Sequence, residues 1–386
     1  MNTEIKIATR QSFGEKLLEL GKQNPQIVVL DADLSTATKT NLFAKEFPDR
    51  FFDMGIAEQD MISTAAGLAT CGKIPFAATF AVFATGRCYD QIRNSVCYPN
   101  LNVKIAGSHS GITVGEDGAT HQMLEDIGLM RGLPNMKVIC PSDDLQTKWA
   151  VEEASKIDGP VYIRLNRMAT PIIYDENSKF EFGKAVIHGD GTDSTVFATG
   201  DMVSVALEAK EELEQEGKNI RVVDIHTIKP IDRKTIIQCA KETKKLISIE
   251  DHNIIGGLGT AISEVLTDEY PVKIIRLGMK DCFGKSGKAQ ELLDYFGYKQ
   301  KKKNVIKIKE LLKKFVIIVR NFGQRPKFRS IYYRNSTFLT SLKKYIFGCR
   351  QAVRHRTLTP TCVCSNHTTR AKKLRKYQNN WYFFSL

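Results

Sequence analysis

The sequence predicts an α/β protein built from two consecutive parallel-sheet α/β domains, at residues 1–178 and 183–315. Three observations carry this. Apolar runs of strand length alternate with runs of helix length from residue 10 to residue 296, the signature of βαβ units on a parallel sheet. Several of those runs, 27–30 and 74–79 among them, read as buried strands. A polar, aperiodic stretch at 175–183 interrupts the alternation once, and the pattern then restarts.

In order, residues 10–22 read as an amphipathic helix with Phe13, Leu17, Leu18 and Leu20 on its apolar face. The strand 27–30 ends in Asp31, Ala32 and Asp33. Polar residues at the carboxyl end of a parallel strand stand where open α/β sheets bind ligands. Phe47 and Pro48 end the next helix. Phe51 and Phe52 form an extended pair that leads to Gly55. Residues 57–70 are a small-residue helix closed by Gly72, and 74–79 a strand. Phe80 and Phe83 follow in a segment with no turn signal, and 89–96 continue a helix closed by Pro99. A strand at 103–106, a loop at 108–122, a helix at 122–131 and a strand at 137–140 come next. Asp143 or Asp144 caps a helix that reaches Ser155. Arg167 stands just past the last strand of this half, 161–165. In the second half, strands at 194–198, 220–225, 246–249 and 272–277 alternate with helices at 202–217, 231–244, 258–268 and 287–296. Residues 301–315 read as a final basic helix.

The chain has 386 residues, with 56 Lys plus Arg against 43 Asp plus Glu, and the excess is concentrated at one end. Residues 316–386 hold 15 Lys plus Arg and neither Asp nor Glu, so the body is near neutral. So long an acid-free segment is unusual against average composition. We read it as a disordered basic tail unrelated to the fold, in preference to an arm for nucleic acid, which is not an expected partner. Cys349, His355, Cys362, Cys364 and His367 in that tail are ligand types whose spacings fit no zinc pattern. Nine scattered Cys without a CxxC fit a reducing compartment. With no signal-peptide pattern and no run of 18 apolar residues, a cytoplasmic chain without a membrane span is expected.

Glu58 opens the helix 57–70 beside Ile56, Ala57 and Met61. A carboxylate at a helix start ordinarily complements the helix dipole. Two aromatics and several histidines later in the same half give it a second reading, as a functional acid. The loop 108–122, SHSGITVGEDGATHQ, gathers His109, Glu116, Asp117 and His121 among its glycines, more chemistry than a structural turn requires. Two glycine patterns are set aside. Gly189, Asp190 and Gly191 with Asn219 have the spacing of a diphosphate–metal element, but they precede a strand and read as a turn. Residues 256–259 complete no phosphate-loop pattern and read as a tight turn packing a helix onto the sheet. His252, without a partner in the sequence, reads as a surface residue.

The segments GIAEQ (55–59), ATFAVF (78–83), TVGEDGATHQ (113–122) and FGKSGKAQELLDYFG (283–297) together resemble transketolase over roughly residues 9–298. The resemblance is to the later half of that family: a thiamine-diphosphate pyrimidine-binding domain and the transketolase C-terminal domain. The half that holds diphosphate and metal has no counterpart here. The chain is thus similar to the smaller subunit of a split transketolase, which implies transfer of a two-carbon ketol unit between sugar phosphates. The resemblance implies a partner subunit carrying the diphosphate-binding domain and the ligands of Mg2+. It also implies a homodimer of this chain within a heterotetramer, and activity only with the partner.

For individual residues, the resemblance implies that Glu58 hydrogen-bonds N1′ of the aminopyrimidine. That bond favours the imino tautomer, whose N4′ removes the C2 proton. Phe80 and Phe83 match the aromatic wall against the pyrimidine, and a third aromatic of many members stands here as Gly86. His109, the second catalytic candidate, and Asp117 match residues that contact the sugar near its reacting carbons, and His121 matches another polar residue of that loop. Arg10 and Arg167 match two arginines that grip the sugar phosphate, a bidentate task suited to Arg. A serine that assists in some members is replaced near Ala37, with Thr36 or Thr38 as its substitute. Deoxyxylulose-phosphate synthase has similar elements but a different carboxyl end, so it ranks second. A 2-oxoacid dehydrogenase beta subunit is disfavoured by the His109 and GEDGATH loop. A non-catalytic regulatory relative is disfavoured by the retained Glu58, Arg10 and Arg167.

Overall fold

Apolar strands alternating with amphipathic helices give two mostly parallel sheets, as the sequence predicts. The structure is a computed structural model and describes residues 2–243 and 245–298, so the expected basic helix at 301–315 and the basic tail lie outside the described residues. The strands are β1 (Asn2–Ala8), β2 (Ile27–Asp31), β3 (Phe51–Asp53), β4 (Ile74–Phe80), β5 (Lys104–Ser108), β6 (Lys137–Ile139) and β7 (Val161–Arg164). They continue with β8 (Ala169–Ile172), β9 (Val186–His188), β10 (Ser194–Ala198), β11 (Ile220–Asp224), β12 (Thr227–Lys229), β13 (Leu246–Asn253) and β14 (Ile274–Met279). The first sheet runs β12-β6-β7-β5-β4-β2-β3 and the second β14-β13-β10-β11-β9.

Side chains along a strand point alternately to its two faces, and β2 shows the consequence. Ile27 and Val29 join Phe13, Leu17 and Phe76 beneath the helix Thr9–Gln23. Val28 and Leu30 join Met61, Ile62 and Ala65 of the helix Glu58–Thr70 on the other face. Because both faces are covered, the strand reads as an unbroken apolar run. The helix Asp144–Lys156 settles the capping alternative: Asp143 is its cap, and its carboxylate accepts from Gln146 N at 2.9 Å.

The antiparallel edges escape the sequence reading. β1 pairs with β8, β9 with β11, and β12 with β6. β12 comes after β11 in the chain yet completes the first sheet, tying the halves together. Buried polar groups add a second tie. Asp224, at the end of β11, accepts on Oδ2 from Tyr174 (2.7 Å), Gln146 (2.9 Å) and Ser142 (3.1 Å) of the first half. Burial pushes its carboxyl up to about 7, against those hydrogen bonds. Between the ordinary Asp range and about 7, folded Asp224 therefore keeps a proton that the unfolded chain has released. Its contribution to stability is lost as pH rises through that window. Asp224→Asn should flatten the fall. The urea midpoint of wild type, measured from pH 5 to pH 8, is expected to drop relative to that of the variant; parallel curves would show that Asp224 is ionised throughout.

His252 is not at the surface, as its sequence setting suggests, but fully buried. β13 runs four residues beyond its expected end, which carries Glu250, Asp251 and His252 inward against the first half. The His252 ring lies with Nδ1 2.6 Å from the Asn253 carbonyl and Nε2 3.9 Å from Asp126 Oδ1. Residues 256–259 do form the expected turn, whose Leu258 and Gly259 amides donate to the Glu250 carboxylate at 2.6 and 2.8 Å. The segment 189–191 is a loop between β9 and β10. Among the described residues, no helix is long and apolar enough to cross a membrane.

Candidate active site

The predicted site residues come from strand and helix ends at the carboxyl edge of the first sheet, where the ligand crevice of an open α/β sheet lies. Phe80 ends β4, His109 follows β5 and Arg167 lies beyond β7. Glu58 opens the helix Glu58–Thr70, and Arg10 stands in the first turn of Thr9–Gln23. Thr9 Oγ1 accepts from Asn166 N at 2.7 Å, which anchors that helix start beside the end of β7.

Four rings form one aromatic cluster. Phe80 and Phe83 stack with centroids 5.9 Å apart. His109 stacks on Phe80 at 3.8 Å, and His121 meets Phe83 edge-on at 5.5 Å. The helical turn Val82–Arg87 has the wide i→i+5 pattern, which is enriched at functional sites. A Cβ added at Gly86 would meet nothing within 4 Å, so the place of the missing third aromatic is open.

His109 sits at φ 56°, a left-handed backbone that a non-glycine residue adopts at some cost. Its Nδ1 is 3.0 Å from Ser108 Oγ. Burial, then the charges of Arg10 and Arg167 and the His121 ring, push its imidazole down to about 3. The ring is therefore neutral across the physiological range, able to exchange a hydrogen bond with a hydroxyl but not to act as a cation.

Arg10 donates Nη1 to the Ala37 carbonyl at 2.7 Å. Burial and the neighbouring Arg167 charge depress its pKa. Arg167 bonds the Val114 carbonyl and lies 3.5 Å from Glu116 Oε2. Two guanidiniums close enough to repel one another make a place for an anion. The loop that carries His109 and His121 is held from the second half. Gln122 Nε2 donates to Lys285 O at 2.9 Å, and Ile112 N to Asp251 Oδ1 at 3.2 Å. At Gly111, φ is 75° and a Cβ would fall 1.8 Å from the Asp251 carboxylate, so only glycine lets the loop close on it.

The remaining candidates divide. Asp117 is exposed on the loop. Thr38 is no substitute for the missing serine: its hydroxyl is buried and donates to Asp31 Oδ2 at 2.6 Å. Thr36 is exposed. Glu58 is only 2% exposed, yet it has a partner that sequence reasoning missed. Arg87 Nη1 lies 2.7 and 2.8 Å from its two carboxylate oxygens, and the same guanidinium stands 4.4 Å from the Phe83 ring centroid. No periodicity joins positions 58 and 87, so no sequence signal marks the pair.

A planar aromatic wall beside a buried carboxylate fits an aminopyrimidine. Among the described residues, no group of three or more His, Cys, Asp and Glu could hold a metal ion. Residues 5–172 match the transketolase pyrimidine binding domain and residues 183–302 the transketolase C-terminal domain. A Methanocaldococcus jannaschii chain named as a transketolase C-terminal section is 53% identical over 291 residues, 75% of this chain and 91% of that one. A 6-deoxy-6-sulfo-D-fructose transketolase subunit of Clostridium sp. (strain MSTE9) is 43% identical over 288 residues, 75% of this chain and 89% of that one. Among solved structures, a split gene transketolase described as an inactive beta4 tetramer superposes with a TM-score of 0.74 and 50% identity, over 80% of this chain and 99% of that one.

Proposed function

Because the chain belongs to the transketolase family, we propose that it is the carboxyl-terminal subunit of a split transketolase, transferring a two-carbon ketol unit between sugar phosphates. The observation that carries the reading is the meeting of Glu58, the Phe80–Phe83 pair and neutral His109 at one sheet edge. Thiamine diphosphate, when bound, supplies the electron sink for breaking the carbon–carbon bond beside a carbonyl.

This chain's residues then have separate tasks. Phe80 and Phe83 form the face against which the pyrimidine lies and keep water from it. Glu58 holds a proton at N1′, a role suited to a carboxyl shut away from solvent. His109 and His121 orient sugar hydroxyls, with Asp117 reaching in from the loop. Arg10 and Arg167 hold the terminal anion of the sugar. The name of the Clostridium relative specifies a sulfo sugar, and phosphate and sulfonate are both tetrahedral anions that an arginine pair accepts. We assign phosphate here, with a sulfonated sugar as the alternative substrate in the assay.

The diphosphate and Mg2+ ligands belong, on this reading, to a separate amino-terminal subunit. Two copies of each chain would make a heterotetramer. The test is reconstitution. Alone, this chain is expected to bind thiamine diphosphate weakly and transfer no ketol group; mixed with a subunit carrying the diphosphate domain, it is expected to do both. Tight magnesium-dependent cofactor binding by this chain alone, measured by calorimetry, would overturn the division of labour.

A further inference from the structure

The Glu58–Arg87 pair joins a buried group to one that reaches it from outside. Glu58 is 2% exposed and Arg87 46%. A single guanidinium nitrogen contacts both carboxylate oxygens, at 2.7 and 2.8 Å, and the group also lies over Phe83. One side chain thus covers both features that an aminopyrimidine would use, the carboxyl and the ring face. The Arg87 backbone is fixed, because its carbonyl accepts from Gln59 Nε2 at 3.1 Å and it closes the wide turn Val82–Arg87. Its side chain is a long flexible arm, and the space beside Gly86 is open.

We propose that Arg87 is a displaceable cover over Glu58, closed on the carboxylate in the cofactor-free subunit and swung aside when the pyrimidine ring binds. The inference rests on the assignment of Glu58 to the cofactor. Its chemistry is a competition. A guanidinium bonded to both oxygens occupies the acceptor positions that a ring nitrogen would need. A proton-sharing bond to a ring nitrogen needs one oxygen released and the charge compensated differently. Apparent affinity falls by the fraction of time the site is open. A cover closed nine-tenths of the time therefore weakens binding about tenfold.

The experiment is calorimetric titration of thiamine diphosphate, in magnesium buffer, into the complex reconstituted with the partner subunit. Arg87→Met removes the charge and keeps an apolar stem. It is expected to tighten binding about tenfold. Arg87→Lys keeps the charge but cannot lie flat on Phe83, so it should tighten binding less and serves if the Met variant folds poorly. Affinity equal to or weaker than wild type in both variants overturns the cover. The double variant separates this from the underlying assignment. Comparing Arg87→Met with Arg87→Met/Glu58→Gln isolates the carboxylate's own contribution. A loss of affinity there with no gain from Arg87→Met sinks the cover alone. No loss there sinks the assignment of Glu58 and the cover with it. Urea unfolding of wild type, Arg87→Met, Glu58→Gln and the double variant, all without cofactor, gives an independent readout. If the pair is closed in the free subunit, each single variant is less stable than additivity with the double variant allows; strict additivity overturns the closed state.

Discussion

Glu58→Gln is expected to slow hydrogen–deuterium exchange at the cofactor's thiazolium C2 by about 10²–10⁴ in the reconstituted complex, the usual scale for a lost acid–base group. Gln keeps the size and can hydrogen-bond, but it cannot share a titrating proton. If Glu58 only complemented its helix dipole, the change would be worth roughly 0.3–1 kcal/mol of stability and exchange would survive. The geometry favours the larger effect. Dipole complementation needs no burial, yet this carboxylate is almost wholly enclosed beside the Phe80–Phe83 wall. Exchange isolates proton transfer from sugar binding and product release. A rate within a few-fold of wild type would remove Glu58 from the chemistry, and with it the main support for thiamine chemistry on this chain.

Arg164→Ala is expected to cost about 3–5 kcal/mol of stability, the scale for breaking a buried ion pair by removing one partner. Arg164 is 2% exposed and Asp126 0%, with Nε and Oδ2 2.7 Å apart. Burial works against the Asp126 charge, but Arg164, with His252 and the Tyr162 hydroxyl, outweighs it and holds that carboxyl below the usual range. Without Arg164, the carboxylate keeps the Tyr162 hydroxyl at 2.7 Å and loses its counter-charge. Arg164 Nη2 also donates to the Asp251 carbonyl at 2.9 Å, so the same substitution cuts a bond between the two halves. The urea midpoint of the free subunit measures the loss. Arg164→Met with Asp126→Leu, which removes both charges, should recover most of it. A single variant within about 1 kcal/mol of wild type would mean that water reaches the site.

The parallel strands could be read from the sequence because each is an apolar run bounded by polar turns. The short antiparallel edges could not. β12 has three residues and pairs with a strand some ninety positions earlier, and β1 pairs with β8 across the whole first domain. β12 is too short to carry a recognisable periodicity, and the alternation at residues 4–7 of β1 says nothing of its partner. The aromatic wall, Glu58 and the histidine loop were recognisable as motifs, since their members lie within a few residues of one another. Thr38 and His252 were misjudged for one shared reason: whether a polar side chain is enclosed depends on chain segments distant from it.

The sequence by itself determined which segments become the main parallel strands and the helices that cover them, the order of the two α/β domains, and the kinds of chemistry available to each loop. Those properties are local, set by spacing along the chain. The tertiary structure alone decided the partners: Arg87 on Glu58, Arg164 on Asp126, and Tyr174, Gln146 and Ser142 on Asp224. Each joins residues 29 or more positions apart, and enclosure in a low-dielectric interior is what gives such contacts their strength.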